Sequence, residues 1–136
     1  MSALLIHLAL TKQPVLISIC ETQALYEKVL ELGGGDEAFV APFVRLLLDT
    51  DTATLEALLG AVEASKWDVA ASAAHRMTGS LRILGNAQAI ELMSKFEAAL
   101  CSGEFEQARA VLPEVTESLE RMKVALKGVL ASSACP

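Results

Sequence analysis

Apolar residues recur along most of this chain at steps of three and four, the spacing of one face of an α-helix. Ser18-x-x-Glu21 has the form of a capping box, in which the hydroxyl caps the Glu21 N–H and the carboxylate reaches back. It predicts a first long helix over about residues 19–32, closed by Gly33-Gly34-Gly35. Asp36 caps the next, where Phe39, Phe43, Leu46, Leu47, Leu55, Leu58, Leu59 and Val62 mark a stripe reaching about Ser65. Pro42 falls near its first turns, where a missing N–H costs least. After a short Ser65-Lys66-Trp67 turn, Asp68 is the expected cap of a third helix, which ends at Gly85 as a C′ residue. Asn86 caps a fourth, with Ile90, Met93, Phe96 and Leu100 on one side, and Gly103 closes it. The fifth spans about 104–127. Its apolar positions Phe105, Ala108, Leu112, Val115, Leu119, Met122, Leu126 and Val129 alternate steps of three and four, the seam of a bundle helix crossing its neighbour at a shallow angle. Pro113 is expected to bend it mildly.

Short loops between long amphipathic helices force antiparallel neighbours. The expected fold is all-α: an antiparallel up-down-up-down four-helix bundle with an additional short N-terminal helix or helices. Residues 1–19 read as an extension, with Leu4, Leu5 and Leu8 at helical spacing over Ser2 to Leu10. Residues 20–128 form the bundle, and residues 129–136 a frayed tail.

Composition narrows the classes. Of 136 residues, 53% are apolar, 21% charged and only 4% aromatic, which suits one helical domain. Eleven basic against seventeen acidic residues give a net charge of −6. An acidic chain lacks the basic face that nucleic acid or an anionic membrane surface demands. The apolar start is broken by Lys12, Gln13 and Pro14, too soon for a membrane span. No basic n-region precedes it, so a signal peptide fits poorly. Cys20, Cys101 and Cys135 form no C-x-x-C pair, and read as two buried free thiols and one in a frayed tail, in a reducing cytoplasm. No Gly-rich phosphate loop and no solenoid repeat is present.

The chemistry concentrates in Asp68 to Leu84. On a helical wheel, Val69, Ala70, Ala73, Ala74, Met77, Ser80, Leu81 and Leu84 share the core side. Asp68, Ser72, His75, Thr78, Gly79 and Arg82 fall opposite, so His75 is expected to face solvent. An exposed His by itself is usually an ordinary surface residue. Gly79 changes that weighing. A mid-helix Gly costs about 1 kcal/mol against Ala, and on the outer face it cannot serve the core. It lets another protein's backbone approach the imidazole one turn away. No nucleophile with a supporting acid stands beside His75, and Ser72 and Gly79 offer no second metal ligand at helical spacing. The chemistry that fits is nucleophilic: a neutral imidazole can take a phosphoryl group on Nε2, as an acceptor that depends on a partner's active site.

The run His75-Arg76-Met77-Thr78-Gly79-Ser80, followed by Leu84-Gly85, resembles the histidine phosphotransfer (HPt) domains of multistep phosphorelays, which typically carry His-x-x-Lys-Gly-Ser. The flanks are similar too: Leu32-Gly33-Gly34-Gly35-Asp36 before the long helix, Trp67-Asp68 and Ala73-Ala74 before the His, and Phe96-Glu97 after it. The resemblance covers roughly residues 20–127 by those flanking helices. It implies a phosphocarrier, not an enzyme, with His75 as phosphoacceptor and with no cofactor of its own. Response-regulator receiver domains, alone or within a hybrid sensor histidine kinase, are the implied partners, and they supply the acceptor aspartate and Mg²⁺. The implied docking surface surrounds His75 and includes Gly79, Ser72 and Arg82, on a cytoplasmic monomer. One departure stands out: the usual Lys three residues after the His is Thr78. A Thr hydroxyl donates a hydrogen bond but carries no charge. Arg82, with Arg76, is the expected partial replacement around the phosphoryl group. The alternative is a degenerate module of the same fold that docks receivers or kinases without carrying phosphate. A phosphoacceptor domain belonging to a longer hybrid kinase shares the chemistry.

Overall fold

A computed structural model describes residues 20–134, and among these there are five helices and no strand. They are α1 (20–32), α2 (Glu37–Glu63), α3 (Trp67–Leu84), α4 (Ala87–Cys101) and α5 (Phe105–Ala134). The expected Ser2–Leu10 helix, Ser18 of the capping box, His7 and Cys135 lie outside the described residues, and Cys20 and Cys101, at least one of them expected to be buried, are both exposed. The helical-bundle class expected from the periodicity is what the chain adopts. None of the helices is long and apolar enough to cross a membrane among the described residues.

The chain divides into two compact units. One holds the described residues of Met1–Val44 and Lys123–Pro136, the other Arg45–Met122. In the first, Gly34 and Gly35 take φ of 69° and 86°, and the Gly35 N–H closes α1 by donating to the Leu30 carbonyl at 2.9 Å. A side chain at Gly33 would run into the ring of Phe39, which stacks on Phe43 at 4.9 Å. Asp36 caps α2 as expected, its Oδ1 accepting from the Ala38 N–H at 3.0 Å. Pro42 sits in the second turn of α2. Gly128 lets α5 close on α1: a Cβ there would stand 2.7 Å from Thr22 Oγ1. The helix α5 continues to Ala134, past the expected end near 127 and through the segment expected to fray, because Val129 keeps the apolar seam going and is fully buried.

The buried face of α2 is rotated from the expected stripe. Val40, Val44, Leu47, Leu48, Leu55, Leu58 and Val62 are buried, while Leu46 is 62% exposed and Phe39, Phe43 and Leu59 are half-buried. Asp51 shares that buried face at 2% exposure. Leu47, Leu55, Leu58 and Val62 belong to the expected stripe, while Val40, Val44, Leu48 and the polar Asp51 of the buried face do not.

In the second unit, α3 begins one residue before the expected cap. Its N-cap is Lys66, with no side-chain hydrogen bond, and Asp68 lies in the first turn, where its charge complements the helix dipole. Aromatic packing sets this start. The Trp67 indole stacks on Phe105 with centroids 4.4 Å apart and planes 1° from parallel, and the Arg109 guanidinium stands 4.7 Å from the Trp67 ring. Arg109 Nη2 also donates to Ser65 Oγ at 2.8 Å, holding a residue whose φ is 56°. At the other end Gly85 (φ 71°) closes α3, and the Asn86 N–H reaches back to the Leu81 carbonyl at 3.3 Å. Asn86 then caps α4, Oδ1 accepting from the Ala89 N–H at 3.1 Å. With only those two residues between them, α3 and α4 pack on each other. Met93 and Phe96 of α4 are fully buried, as are Leu81 and Ala74 of α3, and Met77 is nearly so.

Candidate functional site

Helix α3 is anchored through Ala70, Ala73, Ala74, Met77, Leu81 and Leu84, all buried. Alanines dominate the first half of that face, so α3 can sit close to its neighbours and be held along its length. His75 is exposed on the opposite side, near the middle of the helix. Ser72, Arg76, Gly79 and Arg82 are exposed with it. Five of the six residues expected around the site therefore stand on one accessible arc of one rigid helix.

Gly79 is the informative member. A Cβ built there would meet nothing within 4 Å. Gly33 and Gly128 are small because Phe39 and Thr22 press on them, and Gly34, Gly35, Gly85 and Gly103 have positive φ. Gly79 has neither reason, and nor does Gly60 of α2, but only Gly79 lies one turn from an exposed His. The chain accepts a helix-weakening residue beside His75 without any internal packing need for it.

Thr78 departs from expectation. It was expected on the outer face, and it is buried at 4% exposure. Its Oγ1 donates to Glu97 Oε1 of α4 at 2.6 Å and lies 3.0 Å from the Ala74 carbonyl oxygen. One hydroxyl hydrogen cannot fully serve both acceptors, and the charged acceptor at the shorter distance holds it. The physical reason for the miss is the seam between helices. A two-sided wheel gives α3 one buried and one open half, but a neighbour also covers its flank, and α4 covers the flank bearing Thr78. A short side chain tucks into that seam where a Lys would have to extend past it. Val69 errs the other way, expected in the core but 44% exposed. Ile83, also α3, is 47% exposed, so two apolar side chains stand on the open part of the helix.

Ser80, expected in the core, is half-buried, and its Oγ donates to Asp51 Oδ2 of α2 at 3.1 Å. Glu97 and Asp51 were not expected at the site. Glu97 had a signal, since it directly follows buried Phe96 in the pair that resembles the family's Leu-Glu. Asp51 had none, because nothing local marks an acid as buried.

Neither Arg76 nor Arg82 makes an ion pair among the described residues. Both guanidinium groups are exposed and uncommitted on the His75 arc. Among the described residues no three His, Cys, Asp or Glu side chains come together to hold a metal ion. A polar groove of about 350 Å³ lies between α4 and α5, lined by Glu91, Lys95, Glu114, Glu117 and Arg121 among others. It has no His or Cys in its lining. The convex arc of α3 is the stronger candidate, and a convex site suits chemistry completed by a second protein.

A family model described as Hpt domain matches residues 42–125, from the second turn of α2 into α5. That is more than half of the chain, and the protein belongs to the Hpt domain family. Membership carries a phosphotransfer role in two-component signalling, as a phosphocarrier and not a catalyst, with receiver domains as the implied partners. No curated protein and no solved structure matches the chain.

Proposed function

We propose that His75 accepts a phosphoryl group from the aspartate of one receiver domain and passes it to another. The observation that carries this is the pairing of an exposed His75 with Gly79, where an added Cβ would meet nothing within 4 Å. The Nε2 lone pair of a neutral imidazole attacks phosphorus as the acyl-phosphate P–O bond breaks. Aspartate leaves as a carboxylate, and the imidazole keeps the proton on Nδ1, so the product is an imidazolium phosphoramidate. Transfer onward reverses these steps with a second aspartate. The phosphoryl group moves in line between two oxygen or nitrogen atoms, so holding them in position does most of the work. The receiver brings the acidic pocket and Mg²⁺, and this chain brings a nucleophile on a fixed helix. Arg82 and Arg76 are the mobile cations within reach of the phosphoryl charge. One exposed His per bundle needs no symmetry, so the working unit is a monomer, in the cytoplasm where receivers operate.

The test loads several receiver domains with phosphate and mixes each with wild type and with His75→Gln. Acid-labile, base-stable label on wild type alone is the expected result. Measurable binding without label from any receiver would overturn the carrier role. It would favour a docking module of the same fold, a reading that rests on Thr78 standing buried where the family usually has Lys.

A further inference from the structure

We infer that Glu97, held by Thr78, acts as an electrostatic destabiliser of the phosphorylated state of His75. It makes the site a poor store of phosphoryl groups and a ready donor. The inference builds on the proposed carrier role and concerns the charge beside its acceptor.

Three observations meet here. Thr78 lies three residues after His75 on α3, so their side chains are neighbours one turn apart, with Cβ atoms roughly 5–6 Å from each other. Thr78 is 4% exposed and points into the α3–α4 seam, where its hydroxyl fixes one oxygen of the Glu97 carboxylate at 2.6 Å. That hydroxyl belongs to a side chain with few alternatives, since its oxygen is also placed 3.0 Å from the Ala74 carbonyl. A half-buried carboxylate is thereby anchored at the border of the His75 arc.

The consequence is a matter of sign. Phosphorylation adds a dianionic group to the imidazole, and a carboxylate anchored on the helix neighbour of His75 repels it. A Lys at position 78 would attract the same group. The arginines at 76 and 82 are exposed and uncommitted, so their charges are solvent-screened and mobile, while Glu97 is held. In a loose, metaphosphate-like transition state the phosphoryl group is already leaving the nitrogen. Repulsion is therefore relieved on departure, and the bound state is raised more than the transition state. The phosphoryl group leaves His75 faster than it would from the same helix with a neutral group at 97. Thr78 is a positioning residue in this arrangement, since it acts only by holding the carboxylate.

The test avoids any partner. Phosphoramidate loads the full chain directly, its N–P bond breaking as ammonia leaves and a new N–P bond forming at His75. After the reagent is removed, loss of acid-labile phosphate from His75 is followed at low salt and near 1 M salt. Glu97→Gln keeps size and hydrogen bonding but removes the charge, and is expected to lengthen the phosphohistidine half-life roughly threefold at low salt. Thr78→Val removes the tether and lengthens it by less, while Thr78→Ser restores the wild-type half-life. The gap between wild type and Glu97→Gln narrows at high salt, which a packing effect would not do. Equal half-lives for wild type and Glu97→Gln in matched, fully folded samples would overturn the inference, as would a gap that salt leaves unchanged. Failure of every receiver to load His75 would instead refute the carrier role, and the phosphoramidate comparison would still decide the role of Glu97.

Discussion

At the scale of single residues, Gly79 carries the strongest conflict between stability and use. Replacing it by Leu fills open space, because nothing in the chain lies within 4 Å of the added Cβ. Leu is also a far better helix former, so the variant is expected to gain about 0.8 kcal/mol, read as a raised midpoint of thermal or denaturant unfolding. The same side chain projects over the ground beside His75, and phosphotransfer from a receiver is expected to fall roughly a hundredfold, since small misplacements of reacting groups cost that much. Phosphoramidate is small and needs no docking surface, so its loading of His75 is expected to be nearly unchanged. A stabilised variant with normal receiver transfer would show that the glycine is not a landing site. Gly85 shows the contrast. Its φ of 71° has a structural reason, and an Ala there costs stability without touching the reaction.

At the scale of elements, what holds α3 in place matters more than what covers it. The Ser80 hydroxyl of α3 donates to the Asp51 carboxylate of α2, which is 2% exposed. This is a polar tie between α2 and α3 that helps satisfy a buried carboxylate. Ser80→Ala removes one donor from a buried carboxylate and is expected to cost about 1–3 kcal/mol in chemical denaturation. The effect on phosphohistidine half-life in the folded fraction is expected to be small, because Glu97 and Thr78 are untouched. These buried polar groups were also where the sequence was hardest to read. The turn at Gly85-Asn86 was legible because a left-handed C′ residue and a side-chain cap are each the work of one residue type. The His75–Gly79 arc was legible because both residues face away from every helix of their unit. Asp51 and Thr78 were not, since a polar side chain is expected outward and a wheel cannot know that a partner across the seam satisfies it; Ser80 was placed on the core side, but nothing local pointed to its tie to Asp51. The start of α3 was misplaced for a similar reason: Trp67 joins the helix because its ring finds Phe105, far away in sequence.

At the scale of the whole molecule, the charge of −6 and the charge of the exposed side chains on the open arc of α3 have opposite signs. That arc carries Arg76 and Arg82 against Asp68, all exposed, with the half-buried Glu97 of α4 at its border. The acidic pocket implied for a receiver would be repelled by the protein as a whole and attracted by this arc. Fields from distant charges are screened beyond a Debye length of about 8 Å in physiological salt, so the two arginines dominate the approach. Orientation is therefore built into the encounter, with the wrong faces repelling and the right one attracting. The double variant Arg76→Ala, Arg82→Ala is expected to slow association with a receiver about tenfold at low salt, chiefly through the on-rate. Its rate is also expected to lose most of the wild-type fall with rising salt. Stopped-flow fluorescence can follow this from Trp67, the single tryptophan of the chain, which lies on the same helix as His75. Unfolding midpoints are expected to stay within about 0.5 kcal/mol of wild type, as neither arginine is paired among the described residues. An unchanged on-rate and salt slope would mean that the arc attracts nothing, and that a receiver finds His75 through shape alone.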